Sequence, residues 1–178
     1  MHHPFNARSF FTKQETADIG AGIVLWRGYF QSVRPAAGRM LINVDISTGA
    51  MYKPGPVIDV ALEFLDVVRK GPLALSPTRG LPDREFIRLQ RYLSGARVNV
   101  HIPGQPTASR RSPRPIRKLT REGAHQLSFT MRGGESITVA QYFERTHNYR
   151  LRFPDIVCIE VSHCLKIPLS YYHSMRST

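Results

Sequence analysis

A chain of 178 residues, 42% hydrophobic and 21% charged, is long enough for one solid core or two small ones, so one domain with an attached element is expected. A formal charge of +12 makes its surface self-repelling and points to an anionic partner: nucleic acid first, a membrane surface second, an acidic protein third. The longest apolar stretch, from Val57 to Val68, carries acids at helical spacing and cannot span a bilayer. The N-terminal MHHPFNARSFF lacks the basic-then-apolar pattern of a secretory signal, so a cytoplasmic protein is expected. Two cysteines, Cys158 and Cys164, form neither a CxxC pair nor part of a Cys/His quartet, so no metal and no cofactor are expected.

In chain order, IVLWRGYFQSV from Ile23 to Val33 reads as a strand and MLINVDI from Met40 to Ile46 as a second, ended by Ser47, Thr48 and Gly49. Pro54, Gly55 and Pro56 break the pattern, and Val57 to Val68 reads as a helix with Asp59, Glu63 and Asp66 on one side. Such acids also suit the solvent face that any amphipathic helix must have. Residues 71–82 read as a loop, and Asp83 to Gly95 as a helix whose Phe86, Leu89 and Leu93 form a core stripe. Strands then follow over Ala96–Ile102, Ile116–Leu119 and Gln126–Met131. The turn RGGE leads to Ser136–Val139 as a hairpin partner. The helix VAQYFERTH runs from Val139 to His147, and short strand-like runs start at Leu151, Val157 and Ile167. Short strands closing around one another with a helix across them suggest a mostly β, α+β small barrel, preceded by a two-stranded linker element.

The most biased stretch is RRSPRPIRKLTR, six cations in twelve residues from Arg110 to Arg121, and 103–113 is too rich in Pro, Ser and Arg to pack, so a mobile basic loop is expected there. A charge run alone is more often a solvated face. Here it is followed by Phe129, Tyr142, Tyr149 and Phe153, with His125 and His147 among them. Aromatic faces that stack bases and cations that hold phosphates are the two parts of a single-strand site. Enzyme templates are missing: there is no GxSxG, P-loop, HExxH or deaminase signature, and Gly20-Ala21-Gly22 is too short for a dinucleotide fingerprint.

The runs LWRGYFQSVRP from Leu25, GRMLINVDISTGA from Gly38 and YKPGP from Tyr52 resemble the first linker domain of Argonaute proteins, most of all fungal ones. From RVNV at Arg97 through LTREGAHQLSF at Leu119 and VAQYF at Val139 to IPL at Ile167, the chain is similar to the PAZ domain. This resemblance implies linker 1 over residues 1–55, a PAZ domain over 56–172 and an unmatched tail over 173–178. The implied PAZ fold is an OB-like or SH3-like barrel with an inserted hairpin-helix module. It further implies a non-catalytic site for the 3′ end of a small single-stranded guide RNA, with silencing-complex proteins as further partners and no membrane. Phe129 would line the pocket, Tyr142 would hydrogen-bond a terminal phosphate, and Thr146 and His147 would add contacts from the helix end. His147 has precedent in the family, whereas Thr146 replaces the family's cation. Arg114 falls where the family has a tyrosine, and a family histidine falls near His101; Arg111, Arg117 and Ile167 complete the implied site. The family's cutting lobe has no counterpart among the matched motifs, so no slicing is expected. The rival readings are a structural spacer with a degraded pocket and, last, a basic nuclease using Asp45, Asp59 or Glu63 with a metal.

Overall fold

The computed structural model describes residues 2–4, 9–100, 113–131, 133–162, 165–169 and 172–176. Two compact units divide the chain, the first built on residues 1–53 and the second on 54–176. The first unit is an antiparallel sheet of four strands in chain order: β1 (His2–Pro4), β2 (Ser9–Gly20), β3 (Ile23–Ala36) and β4 (Arg39–Tyr52). A two-stranded element was expected. β2 escapes a sequence reading because, after Phe10 and Phe11, only Ala17 and Ile19 of SFFTKQETADIG are apolar, and residues 14–20 are exposed. β3 and β4 pair without interruption from Ile23 opposite Tyr52 to Ala36 opposite Arg39, several residues beyond the strand ends expected from composition. Strand alternation sends Val24 and Trp26 to one face, where they close a small core with Phe11 and Met51. Gly28 belongs to that face too, because a Cβ there would stand 2.7 Å from the Phe11 ring. Past Phe30, β3 has no described partner on its β2 side, and Met40, Ile42, Val44 and Ile46 of β4 are exposed.

The second unit begins with α1 (Val57–Phe64), which buries Val57, Ile58, Val60, Ala61 and Leu62. This helix stops four residues short of the expected Val68. Asp66 adopts φ 55, a left-handed conformation that a continuing helix cannot contain, so Asp66 does not share a helix face with Asp59 and Glu63. Two 3-10 turns, Val68–Lys70 and Pro72–Leu75, occupy ground expected to be mostly loop. α2 (Asp83–Leu93) follows, with Phe86, Leu89 and Leu93 buried as the spacing predicts.

Two three-stranded sheets carry the barrel. One has the order β12 (Tyr172–Arg176), β5 (Arg97–Val100), β6 (Arg114–Pro115), and the other β11 (Leu165–Pro168), β10 (Val157–Ser162), β7 (Lys118–Gly123). A single strand had been expected at Ile116–Leu119; the chain instead leaves one sheet and enters the other there. The Ile116 N–H donates to Ala96 O at 2.8 Å and the Arg117 N–H to Glu160 O at 2.8 Å, so one corner residue after another serves each sheet. Ile116 is buried at this corner with Val98, Leu119, Ile159, Ile167 and Leu169, the barrel core. β12 lies largely in the tail expected to be unmatched and completes the first sheet against β5. The run at Leu151 is not a strand: Leu151 is buried, but the chain turns through Pro154 and finds no ladder partner. The basic loop at 103–113 lies, except for Pro113, outside the described residues.

Candidate nucleic-acid interface

β8 (Ser128–Thr130) and β9 (Ser136–Thr138) form a hairpin that runs directly into α3 (Val139–His147). The turn between the strands uses Gly134 at φ 81, a conformation glycine adopts without Cβ strain. α3 begins with a capping box: Thr138 Oγ1 accepts the Gln141 N–H at 3.2 Å, and Gln141 Oε1 accepts the Thr138 N–H at 2.9 Å. It ends at Asn148, left-handed at φ 47, whose N–H donates to Phe143 O. Val139 and Phe143, four apart, are the buried anchors of the helix. The module is tied to the barrel through backbone: Val139 N–H donates to Leu127 O and Ala140 N–H to Ala124 O, both at 2.9 Å. Gly123 sits at the exit of β7 because a Cβ there would meet Pro154 O at 2.8 Å and Asp155 O at 2.9 Å.

This local folding decides where the site residues point. Phe129 stands directly opposite Ile137 in the hairpin, so both side chains share one face, and Ile137 is buried in the module. Phe129 is only half-buried, because the element over it is the edge of Tyr142: the ring centroids are 5.5 Å apart at 71°. Tyr142 in turn meets His147 at 5.8 Å and 86°, and His147 leans on Phe143 at 5.5 Å. Phe129, Tyr142 and His147 are therefore one continuous array of rings, each half-buried. Thr146 is exposed on the last turn beside them. Arg145, one residue earlier, reaches back to Glu135 at 2.6 Å and links the helix to the hairpin turn.

The other sequence-derived residues stand elsewhere. Arg114 is half-buried in β6 opposite Val98, Arg117 is exposed at the barrel corner, and Ile167 is buried in β11 opposite Ile159. His101 and Arg111 lie outside the described residues. His125 faces away to the barrel, its Nδ1 2.9 Å from Asp155, and Phe153 lies under the Arg152 guanidinium at 5.2 Å. Of the acids weighed for a metal, Asp45 belongs to the first unit and Asp59 and Glu63 to α1; among the described residues no three His, Cys, Asp or Glu side chains gather as a metal site requires. Sequence reasoning overlooked the capping box, although T-x-x-Q before an apolar run announces it. It also overlooked the Glu135–Arg145 link, which no helical spacing marks.

Residues 7–53 match the family model of the Argonaute linker 1 domain, and residues 79–172 match that of the PAZ domain. The chain belongs to the Argonaute family. Its fold is similar over its whole length to that of Kluyveromyces polysporus Argonaute, solved with a guide RNA, at a TM-score of 0.61 and 16% identity. This Argonaute segment spans 22% of that protein. The PAZ domain of a Drosophila Ago, solved in complex with 3′-end 2′-O-methylated RNA, is 21% identical over 70% of this chain and all of its own, with a TM-score of 0.49. The Drosophila Argonaute 2 PAZ domain, solved for 3′ end recognition of nucleic acids, is 22% identical over 69% of this chain and 94% of its own, with a TM-score of 0.43.

Proposed function

We propose that this Argonaute segment is a non-catalytic RNA-binding unit that anchors the 3′ end of a small single-stranded guide RNA, in cytoplasmic RNA-mediated gene silencing. The observation that carries this reading is the ring array of Phe129, Tyr142 and His147 on the hairpin-helix module. Phe129 offers a π-face that stacks on any base, giving sequence-tolerant affinity of about 1 to 3 kcal/mol per base. The Tyr142 hydroxyl donates to the terminal phosphate, and His147 donates from the helix end. An anion at this place meets the negative end of the α3 dipole, so it needs positive or donor groups to offset the repulsion. Exposed arginines around the barrel add a salt-dependent attraction that does not depend on sequence.

Family membership supports the reading, since the two Drosophila PAZ domains were solved for, or with, nucleic-acid 3′ ends. The spacer reading has one observation in its favour. Thr146 supplies no charge where the family has a cation, and neighbouring Arg145 is engaged with Glu135. A binding comparison separates the two: a labelled linear single-stranded RNA against the same sequence circularised. Tight binding of the linear form alone supports end anchoring, and equal binding of both, or of neither, refutes it.

A further inference from the structure

The ring array is a place for an anion, yet the hairpin that carries it also carries an acid. The Met131 N–H donates to Glu135 O at 2.9 Å, one step beyond the ladder pair of Thr130 and Ser136. Side chains alternate along a strand, so Glu135 falls on the face of Ile137 and, across the hairpin, of Phe129. A carboxylate on that face repels an incoming phosphate unless a cation offsets it. Arg145 is that cation: its Nη1 donates to Glu135 Oε1 at 2.6 Å.

The position of Arg145 suits it to more than neutralising an acid. It stands three residues after Tyr142, so the two are neighbours on one helix surface, and helical side chains lean toward the N-terminus. The reach back to Glu135 therefore carries the guanidinium past the turn that holds Tyr142. Arg145 is also the one arginine or lysine of α3, and Thr146 beside it brings no charge. Both partners of the pair are exposed, with 59% and 57% of their side-chain surface in solvent, so the pair adds little stability and exchanges readily for a better partner. Phosphate is such a partner, because its oxygens take two parallel N–H bonds from the guanidinium fork, whereas Glu135 is held through Nη1 alone.

We infer, on the end-anchoring reading proposed above, that Arg145 is the phosphate-binding cation of this module and that Glu135 holds it until the RNA end arrives, when Arg145 exchanges carboxylate for phosphate. Glu135 acts through Arg145 and opposes binding, because the pair must break first. The test is a double-mutant cycle of Glu135→Gln and Arg145→Gln in the full chain, read by anisotropy with a labelled linear single-stranded RNA. Arg145→Gln should bind about tenfold more weakly, with a salt slope shallower by about one. Glu135→Gln should bind up to about fivefold more tightly, the worth of an exposed pair. In the Arg145→Gln background, the gain from Glu135→Gln should fall to less than half. Both variants break the same ion pair, so a folding defect would weaken both, and opposite signs exclude it. A mere staple between hairpin and helix predicts weaker binding in both variants, and plain charge predicts an equal gain from Glu135→Gln in both backgrounds. Either result, or parental affinity in Arg145→Gln, would overturn the inference while a preference of the parent chain for linear over circularised RNA leaves end anchoring intact. A parent chain that binds both RNAs alike refutes end anchoring itself, and this inference with it.

Discussion

Replacing Phe129 separates its two roles, stacking surface and packing element. In the hairpin it faces the same side as Ile137 and meets Tyr142 edge-on at 5.5 Å. An aromatic edge contact contributes about 0.5–1.5 kcal/mol beyond burial, and this share of the module's stability is lost in any non-aromatic variant. Phe129→Ala also removes apolar volume; full burial would make that cost about 3–5 kcal/mol, and a half-buried ring places it near the lower end or below. Phe129→Leu keeps most of the volume, so its stability loss should stay near 1 kcal/mol, a few degrees in Tm for a domain of this size. Base stacking is different, since leucine has no π-face. Losing about 1–3 kcal/mol weakens binding roughly 5- to 150-fold. Anisotropy with a labelled short RNA bearing a free 3′ hydroxyl reads the affinity, and thermal melting by circular dichroism reads the fold. Phe129→Leu with an intact melt and parental affinity would refute the assignment of Phe129 as the stacking surface.

Further predictions follow from the same geometry. Thr146→Arg places a cation on the exposed last turn of α3; RNA affinity should rise about 5- to 10-fold at low salt, and the slope of log affinity against log salt should steepen by about one, as a salt titration would show. Gly123→Ala places a Cβ against the backbone of Pro154 and Asp155, which cannot yield as a flexible side chain would. A destabilisation of about 1–3 kcal/mol is expected in chemical denaturation, with weaker RNA binding because the module's root shifts. In the first unit, the Asp18 carboxyl is held below the usual carboxylate range by its hydrogen bond to Lys53 and then by the Gly20 N–H. Its contribution is present above the unfolded carboxylate value and is lost as pH falls through the lower folded one. Acid unfolding followed by fluorescence of Trp26, the single tryptophan, should therefore begin at higher pH in Lys53→Met, and Asp18→Asn should lose this part of the pH dependence.

The helices and the hairpin of the second unit are legible in the sequence because each has a local cause. The stripe Phe86, Leu89, Leu93 and the pair Val139, Phe143 recur at helical spacing, and a double glycine marks the hairpin turn. What was not legible is set by partners far along the chain. β2 is largely polar and becomes a strand only because β3 lies beside it. The corner at Ile116 exists because Ala96 and Glu160 claim successive backbone groups, a relation invisible at residue spacing. The end of α1 hinges on a left-handed Asp66 that no pattern announced. The same division holds in the site. Phe129 and Tyr142 stand out by residue type and family resemblance, but their facing requires the hairpin register, and His125 is drawn instead toward Asp155 by the loop before β10.

Photocrosslinking tests the central claim most directly: a short single-stranded RNA with 4-thiouridine at its last nucleotide, compared with one carrying it at the first, irradiated with the full chain and mapped by mass spectrometry. The end-anchoring reading predicts crosslinks from the 3′-terminal base to residues 128–147, with Phe129 and Tyr142 foremost, and few or none there from the 5′-terminal base. Equal labelling of that module from both ends, or 3′ crosslinks confined to other parts of the chain, would contradict it.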